Sequence, residues 1–383
     1  MTCRGVVRRW LWVVTVAAMP ATGFAAAQPA EAAAKPYRIV GYVVDDARAP
    51  AITPGKLDVV NFAFAQVDPQ HRVFLPSATA PDNLRQLVAL RTRQPSLRIV
   101  LSIGGWGAGN FSEAVRDAAT RATFIDSALA LLRQYDLDGL DIDWEYPTLP
   151  GPGISHRPQD RHDFTLLLQS LRQRLDAESK SKRGRAYLLT IAAAEGEFAQ
   201  GLELPQIARS LDWINLMTYD FYGSLTPTTG HHAGLAPTPG APAGARNAQA
   251  AVEEYLAAGV PASKIHLGVA FYGRRFGDVV PDNHGLLQKF GSDGGFISWR
   301  DIATTRLGQA DWTRHWDAVA QAPTLWNART HQFISYDDPQ SLRAKIDYVR
   351  RKGLGGIMYW EYRQDRDEEL LDVLVEGRDA ASS

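Results

Sequence analysis

The sequence predicts a (β/α)₈ barrel of eight parallel strands, with a small α+β insertion between the seventh strand and the helix that follows it. Short and nearly continuous apolar segments alternate with longer segments in which apolar residues recur at helical spacing. This alternation is typical of a parallel sheet covered by helices. Because no Gly-x-Gly-x-x-Gly pattern follows the first apolar segment, an open doubly wound sheet that binds a dinucleotide is disfavoured.

The predicted strands and helices follow from these segments in chain order. The strands are 38–44, 57–67, 97–103, 137–147, 187–193, 211–219, 264–272 and 354–360. The helices are 82–93, 111–135, 161–178, 249–258 and 340–352. Residues 275–333 interrupt the alternation and predict the insertion. The barrel is therefore expected to comprise residues 37–274 and 334–375, with a tail at 376–383.

The first residues have the pattern of a secretory signal. A basic segment that contains Arg8 and Arg9 precedes a short apolar segment at 10–18, and small residues follow it. We expect cleavage to remove residues 1–27 and to leave 28–36 as a flexible lead-in. The protein is then secreted, either outside the cell or into a periplasm. A retained N-terminal anchor is the alternative.

Cysteine content and charge exclude several classes of function. The one cysteine, Cys3, lies within the expected signal, so no disulfide, thiol nucleophile or cysteine metal site is expected after cleavage. The chain has 42 acidic and 41 basic residues, so its charge gives no sign of nucleic-acid binding. We expect a monomer that binds neither nucleic acid nor, after cleavage, a membrane.

The fourth predicted strand carries an acidic column. It reads Leu-Asp-Gly-Leu-Asp-Ile-Asp-Trp-Glu-Tyr-Pro, and in a strand Asp141, Asp143 and Glu145 share one face. Carboxylates this close repel one another and raise one another's pKa. Such a column is typical of a divalent-metal site or of acid catalysis, and these residues alone do not decide between the two. Asp138, at the start of the strand, faces the other way and is expected to be structural.

Aromatic residues dominate the C-terminal ends of the predicted strands, where functional residues lie in a barrel of this type. A cleft lined by rings suits the apolar faces of sugars, which favours glycoside cleavage over metal chemistry. We therefore expect neither a metal nor a cofactor. The residues at these strand ends are Tyr42, Phe62, Phe64, Trp106, Met217, Tyr219, Asp220, Tyr272, Arg274, Met358 and Trp360.

The acidic segment resembles the signature Asp-Gly-x-Asp-x-Asp-x-Glu of the family 18 glycoside hydrolases, the chitinases. Other segments resemble further motifs of that family in the same order, namely 101–106, 215–223, 267–274, 335–345 and 355–361. The resemblance implies a secreted, retaining chitinase that hydrolyses β-1,4 bonds between N-acetylglucosamine units in chitin or its oligosaccharides. Three alternatives stay open: an endo-β-N-acetylglucosaminidase that acts on N-glycan cores, a chitin-binding lectin without activity, and a metal-dependent hydrolase on the same barrel.

The resemblance also implies roles for individual residues. Glu145 protonates the glycosidic oxygen, while the acetamido oxygen of the substrate attacks the anomeric carbon. Asp143 orients the acetamido N–H, Asp141 holds or shares a proton with Asp143, and Tyr219 donates to the acetamido oxygen. The resemblance implies that Trp360 forms the floor under the sugar, with Met217, Phe64, Tyr42 and Met358 around it. It also implies that Asp220, Tyr272 and Arg274 contact neighbouring sugars and that Trp106 lies on the glycone side.

Two features of the sequence depart from the family pattern. Ala270 stands where a proline is common, and Glu195 and Glu197 follow the fifth strand where small or apolar residues are more usual. The adjacent His231 and His232 lie in a loop rich in Gly, Pro and Thr. We expect these two histidines to be solvated rather than to bind a metal.

Overall fold

The structure is a computed structural model that describes residues 1, 2, 37–181 and 186–380. Most of the expected signal, the lead-in up to residue 36 and the last three residues lie outside that part of the chain. Within the described part, no helix combines the length and the apolar character that a membrane span requires.

The chain alternates strands and helices through most of its length. The strands are β1 (Arg38–Val44), β2 (Val59–Val67), β3 (Val73–Phe74), β4 (Arg98–Gly104), β5 (Gly139–Asp143), β6 (Leu188–Ala193), β7 (Trp213–Leu216), β8 (Ile265–Ala270), β9 (Tyr272–Gly277), β10 (Ser292–Ser298), β11 (Thr313–Asp317), β12 (Ala322–Asn327), β13 (Gln332–Tyr336) and β14 (Gly356–Trp360). The helices are α1 (Ala80–Ala89), α2 (Phe111–Val115), α3 (Ala118–Gln134), α4 (Asp160–Ser181), α5 (Leu204–Ser210), α6 (Ala248–Ala257), α7 (Trp299–Thr305), α8 (Pro339–Lys352) and α9 (Glu369–Asp379).

Eight parallel strands in the described part of the chain close into a barrel, which confirms the predicted fold class. Their order is β1-β14-β8-β7-β6-β5-β4-β2, and β1 also pairs with β2 to complete the ring. The apolar side chains that point outward pack beneath the helices and form the main hydrophobic core. A second, smaller cluster lies inside the barrel and contains rings from several strands.

The acidic strand is shorter than predicted. Strand β5 ends at Asp143, so Glu145 lies in the loop beyond it. Trp144 packs outward, stacked on Phe111 at 5.3 Å and edge-on to Phe164 at 5.4 Å. Because helices α2 and α4 hold this ring, the chain turns at Trp144 and carries Glu145 over the C-terminal end of the barrel.

The insertion begins earlier and ends later than predicted. It forms an antiparallel sheet of order β10-β9-β13-β12-β11, together with helix α7. Strand β9 starts at Tyr272, one residue after β8 ends, so the single apolar segment predicted at 264–272 is two strands in different sheets. Tyr272 and Arg274 therefore reach the cleft from the insertion and not from the end of a barrel strand.

A buried ion pair fixes helix α8 against the end of β8. Lys345 Nζ lies 2.6 Å from Asp337 Oδ2, and neither side chain is exposed. The Ser341 hydroxyl and the backbone N–H of Ala270 also donate to the Asp337 carboxylate, at 2.6 and 3.2 Å. The ion pair therefore joins helix α8 to β8, the strand that precedes the insertion.

Replacing Lys345 by methionine is expected to lower the free energy of unfolding by about 3–5 kcal/mol, because the Asp337 carboxylate stays buried without its cation. Urea unfolding followed by circular dichroism measures the loss. The double variant Lys345→Met/Asp337→Asn removes both charges and should recover part of it. A loss below about 1 kcal/mol in the single variant would contradict the assignment of a buried charge pair.

Candidate active site

Asp141 lies inside the barrel, and side chains from four other strands donate hydrogen bonds to its carboxylate. Ser102 on β4 and Thr190 on β6 are its partners in the strand register, and their hydroxyls donate at 2.7 and 2.6 Å. The Tyr42 hydroxyl donates at 2.8 Å and the Asn215 amide at 3.2 Å. Burial raises the pKa of Asp141, and these donors act against it. Its position is therefore fixed from all sides.

Asp143 lies two residues further along β5 and is bound very differently. Among the described residues, none donates a hydrogen bond to its side chain, and its Oδ1 is buried without a partner. Burial raises its pKa well above the usual range, and the charges of Glu145 and Asp141 add to the effect. No hydrogen bond joins Asp143 to Asp141 among the described residues. A buried acceptor without a donor is costly, and a ligand N–H or O–H would relieve that cost.

Gly104 allows strand β4 to approach the end of β5. Its φ of 129° lies where glycine is favoured, and a Cβ there would lie 1.9 Å from the backbone oxygen of Asp143. That same oxygen accepts a hydrogen bond of 2.8 Å from the Gly105 N–H. The glycine pair therefore holds Asp143 at the barrel end without a side chain in the way.

Glu145 is a partly buried acid at the mouth of the barrel. Burial raises its pKa from 4.5 to about 7, the charge of Asp220 acts in the same direction, and the neighbouring Tyr146 hydroxyl acts against both. The sequence predicts the raised pKa from neighbouring carboxylates, whereas the structure makes burial its first cause. A carboxyl group with a pKa near 7 can donate a proton at neutral pH.

An aromatic floor lies next to these acids. The Trp360 ring stacks on Phe64 at 5.6 Å and is tilted against Tyr42 at 5.5 Å. Tyr219 packs edge-on to Tyr272 at 6.1 Å. Phe64 and Trp360 remain partly exposed, so their faces can meet a ligand. Met217 and Met358 belong to the same cluster inside the barrel.

The Tyr219 hydroxyl is weakly bound. It donates only to the Met358 sulfur, at 3.6 Å, among the contacts of the described residues. Burial raises its pKa well above the usual range, and Asp143 and Glu145 add to this. The hydroxyl therefore keeps its proton and can donate it in a hydrogen bond to a ligand.

Trp106 stands at the rim of the cleft rather than in its floor. Its side chain is 60% exposed and touches Tyr146 edge-on at 6.4 Å. Beside Phe64, a cavity of about 460 Å³ extends the cleft and is lined in part by Asp45 and Gln66. The cavity therefore adjoins the aromatic floor at Phe64.

Asp220 lies on the other side of Glu145, within a charged cluster. Its Oδ1 is 3.7 Å from Arg274 Nε and 3.7 Å from His232 Nδ1. Burial alone would raise the pKa of Asp220, but His232, Arg274 and Tyr272 outweigh burial and lower it. Asp220 is therefore ionised and contributes a negative charge to the cleft.

The prediction that His231 and His232 are solvated is wrong. They are 2% and 0% exposed, because their loop packs between the barrel and the insertion sheet. His231 Nε2 lies 3.2 Å from Asp317 Oδ2 at the end of β11. The described residues contain no cluster of His, Cys, Asp and Glu that could hold a metal ion.

Arg246 and Phe296 are not among the residues predicted from the sequence. Glu195, whose role the sequence leaves open, is 4% exposed and bound by Arg246, which lies over the rings of Phe198 and Phe221 at 5.4 and 5.2 Å. Glu197 is exposed. Phe296 on β10 is 58% exposed and lies 4.3 Å from the Arg274 guanidinium. The signal for Phe296 was a single aromatic after two glycines, which is weak.

Comparison with known proteins gives consistent matches. The family model of glycosyl hydrolases family 18 matches residues 38–365. The chain is 40% identical to chitinase A1 of Niallia circulans over 308 residues, which are 76% of this chain and 44% of that protein. It is 36% identical to mouse chitotriosidase-1 over 320 residues, 81% of this chain and 67% of that one.

A solved structure matches over almost its whole length. It is a family 18 N-acetylglucosaminidase from Paenibacillus barengoltzii, with a TM-score of 0.84 and 40% identity. The match covers 89% of this chain and 99% of that one. The chain therefore spans less than half of the bacterial chitinase A1 but nearly all of this structure.

Proposed function

Because the chain belongs to family 18 of the glycosyl hydrolases, we propose that it is a chitinase that hydrolyses β-1,4 bonds in chains of N-acetylglucosamine. One observation carries the proposal. Glu145, an acid with a pKa near 7, lies at the mouth of a ring-lined cleft beside a buried carboxylate that lacks a donor, Asp143. The names of the curated relatives support it.

The proposed reaction is substrate-assisted and retains the configuration at the anomeric carbon. Glu145 donates its proton to the glycosidic oxygen, and the bond from that oxygen to the anomeric carbon breaks. The acetamido carbonyl oxygen of the substrate forms the new bond to that carbon. Water then attacks the same carbon from the face that the leaving group vacated, and the bond from that carbon to the acetamido oxygen breaks, which restores the acetamido group. Glu145, now a base, takes up a proton from the attacking water.

Asp143 and Tyr219 serve the acetamido group in this mechanism. The unpartnered Oδ1 of Asp143 accepts the acetamido N–H, and Asp143 in its ionised form stabilises the positive charge that develops on the ring intermediate. The Tyr219 hydroxyl donates to the acetamido oxygen. Asp141, held by its four donors, adds negative charge beside Asp143 and keeps it in position.

The remaining cleft residues bind sugar in this proposal. Trp360 lies under the sugar at the reaction centre, with its ring face open beside Phe64. Asp220, which follows β7, and Tyr272 and Arg274 on β9 bind a neighbouring sugar. The residues that complete the lining are Tyr42, Met217, Met358 and, on the glycone side, Trp106. No metal or cofactor takes part, and full activity in excess chelator is the expected check.

A second candidate is the release of single N-acetylglucosamine units from a chain end. The Paenibacillus barengoltzii enzyme favours it, because that N-acetylglucosaminidase matches this chain over 99% of its length. The relatives give no support to an enzyme that acts on N-glycan cores or to an inactive lectin.

Product analysis on an N-acetylglucosamine hexamer tests the proposed function. Dimers and longer products support the chitinase, and monomer as the first and sole short product supports the second candidate. Proton NMR of the fresh product should show the β-anomer if the configuration is retained. An intact hexamer after prolonged incubation with folded enzyme would overturn both candidates.

The activity is expected to fall as the pH rises above about 7. Glu145 must be protonated to act, and its pKa is raised from 4.5 to about 7, so kcat/KM should lose about tenfold per pH unit above that value. Initial rates between pH 4 and pH 10 measure the profile. An alkaline limb at a pH near 5 would contradict the raised pKa.

We also propose that the protein is secreted as a monomer. The basic and apolar pattern of residues 1–27 supports export, and the near-neutral overall charge is compatible with a freely diffusing enzyme. The mass of the exported protein tests the first statement, since cleavage before Gln28 fixes it. Light scattering tests the second.

A further inference from the structure

An ion pair beside the acid loop has no part in the proposed reaction. Glu195, which follows β6, accepts a hydrogen bond from the Nε–H of Arg246, and Arg246 directly precedes Asn247, the N-cap of helix α6. The Glu195 side chain is almost fully buried. A buried carboxylate is retained at a cost unless a cation pairs with it, so Arg246 compensates Glu195.

The main chain on both sides of Glu195 is tied to helix α6. The Tyr255 hydroxyl donates to the carbonyl oxygen of Ala194 at 2.7 Å, and the Glu254 carboxylate accepts from the Gly196 N–H at 2.8 Å. Glu195 lies between these two bonds, so its carboxylate is a fixed partner for the guanidinium.

The Arg246 guanidinium is held from several sides but keeps unused donors. It lies 5.4 and 5.2 Å from the ring centroids of Phe198 and Phe221, and its Nη1 donates to the backbone oxygen of Asp220 at 3.3 Å. A guanidinium has five N–H groups. Within the described ranges, no residue accepts from Nη2, this atom is not among the buried ones, and the Arg246 side chain is 33% exposed. A rigid cation therefore presents free N–H groups at the surface.

Phe198 connects this guanidinium to the loop of the acid. The Phe198 ring packs on the Tyr146 ring with 4.4 Å between their centroids, and Tyr146 directly follows Glu145. Phe198 itself is only partly buried. Direct contacts thus lead from Arg246 to the residue next to the acid.

The strand order decides on which side of the acid Arg246 lies. The series β14-β8-β7-β6-β5 runs half-way round the ring of eight strands, so Trp360 at the end of β14 and Glu145 beyond β5 face each other across the barrel mouth. In the proposed reaction, the sugar at the anomeric carbon lies over Trp360 and its glycosidic oxygen meets Glu145. The leaving-group sugar therefore extends toward β5 and its neighbour β6, where Arg246 is paired with Glu195.

We propose that Arg246, held in place by Glu195, binds the sugar of the leaving group with its free N–H groups. This inference rests on the proposed function, since it takes Glu145 as the acid. N-acetylglucosamine offers hydroxyl oxygens and an acetamido carbonyl oxygen as acceptors, and arginine has only donors, so the two are complementary. Glu195 is a positioning residue that acts through Arg246.

The test compares two substrates that differ in the leaving group. Cleavage of the N-acetylglucosamine hexamer expels a sugar, whereas the nitrophenyl glycosides of N-acetylglucosamine and of its dimer can expel nitrophenol. In Arg246→Met, kcat/KM on the hexamer should fall about tenfold or more, the usual effect of a hydrogen bond to a charged group. Nitrophenol release should stay within about threefold of the wild type. A loss on the hexamer that does not exceed the loss of nitrophenol release would overturn the proposal, because a merely structural role affects both substrates alike.

Two further variants control for folding. Arg246→Lys keeps a cation for Glu195, but its single ammonium group is bound there, so the same selective loss is expected even if Arg246→Met does not fold. Arg172→Met is the matched control, since Arg172 also pairs with a carboxylate, Asp212, and donates to a backbone oxygen, that of Tyr187, at the start of β6. Both of its rates should stay within about threefold of the wild type.

Binding of the hexamer tests the contact without turnover. Calorimetry compares Glu145→Gln with Glu145→Gln/Arg246→Met, and the Kd should be about tenfold higher in the double variant. Equal Kd values would overturn the proposal. If the wild type leaves the hexamer intact, the proposed function fails while this comparison still measures the contact with Arg246. If the wild type cleaves it and the Kd values agree, only the present inference fails.

Discussion

Replacing Glu145 by glutamine is expected to lower kcat on the N-acetylglucosamine hexamer by about 10²- to 10⁴-fold, the usual contribution of a positioned general acid. Glutamine keeps the shape of the side chain but has no proton to give to the glycosidic oxygen. The aromatic floor is unchanged, so binding of the hexamer should stay within about threefold of the wild type. Calorimetry for binding and chromatography of products for turnover measure the two quantities.

Glu197→Gln is the matched control for that experiment. Glu197 follows the neighbouring strand β6, is exposed and carries the same functional group, but it lies outside the acid column. Its rate should equal that of the wild type. Retained turnover in Glu145→Gln would remove Glu145 from the role of acid. A loss of binding as large as the loss of rate would instead show that Glu145 acts mainly on substrate affinity.

The barrel and the acid column could be predicted because both depend on local pattern. The apolar segments of a buried parallel sheet are nearly continuous, and side chains alternate along a strand, so the shared face of Asp141 and Asp143 follows from spacing alone. The residue at which this strand ends could not be predicted in the same way. Trp144 leaves the strand because two helices hold its ring, and that packing depends on residues distant in sequence.

The donors to Asp141 show a second limit of the sequence. Ser102, Thr190 and Asn215 are single polar residues within apolar strands, which is a visible signal. Their meeting on one carboxylate depends on the register between four strands, which no single strand encodes. The prediction of a solvated His231 and His232 failed for a similar reason. The loop composition indicated exposure, but the insertion sheet covers the loop.

The boundary between barrel and insertion was missed because the apolar pattern does not break there. Strand β8 ends at Ala270 and β9 begins at Tyr272, so one residue separates two strands that belong to different sheets. A continuous apolar segment predicts a single strand. As a result, the sequence placed Tyr272 and Arg274 at the end of a barrel strand, whereas the structure places them on β9 of the insertion.

Asp143→Asn is expected to lower kcat by about 10²- to 10³-fold, similar to the loss of one group that stabilises charge in a transition state. Asparagine has the same size but no charge to stabilise the positive intermediate, and its amide can turn an N–H toward the substrate N–H. The free energy of unfolding should not fall, because no described residue donates to this side chain and burial already disfavours its charge. Single-turnover rates and urea unfolding measure the two effects.

Asp141→Asn tests a carboxylate that supports Asp143, whereas Asp143→Asn tests one that contacts the substrate in the proposed mechanism. The new asparagine would turn its own N–H groups toward some of the four groups that donate to Asp141, and those donors would lose their acceptor. This variant should therefore lose about 1–3 kcal/mol of stability as well as activity. If Asp143→Asn keeps kcat within about threefold of the wild type, the acetamido group is not its partner, and the substrate-assisted mechanism loses the residue on which it depends.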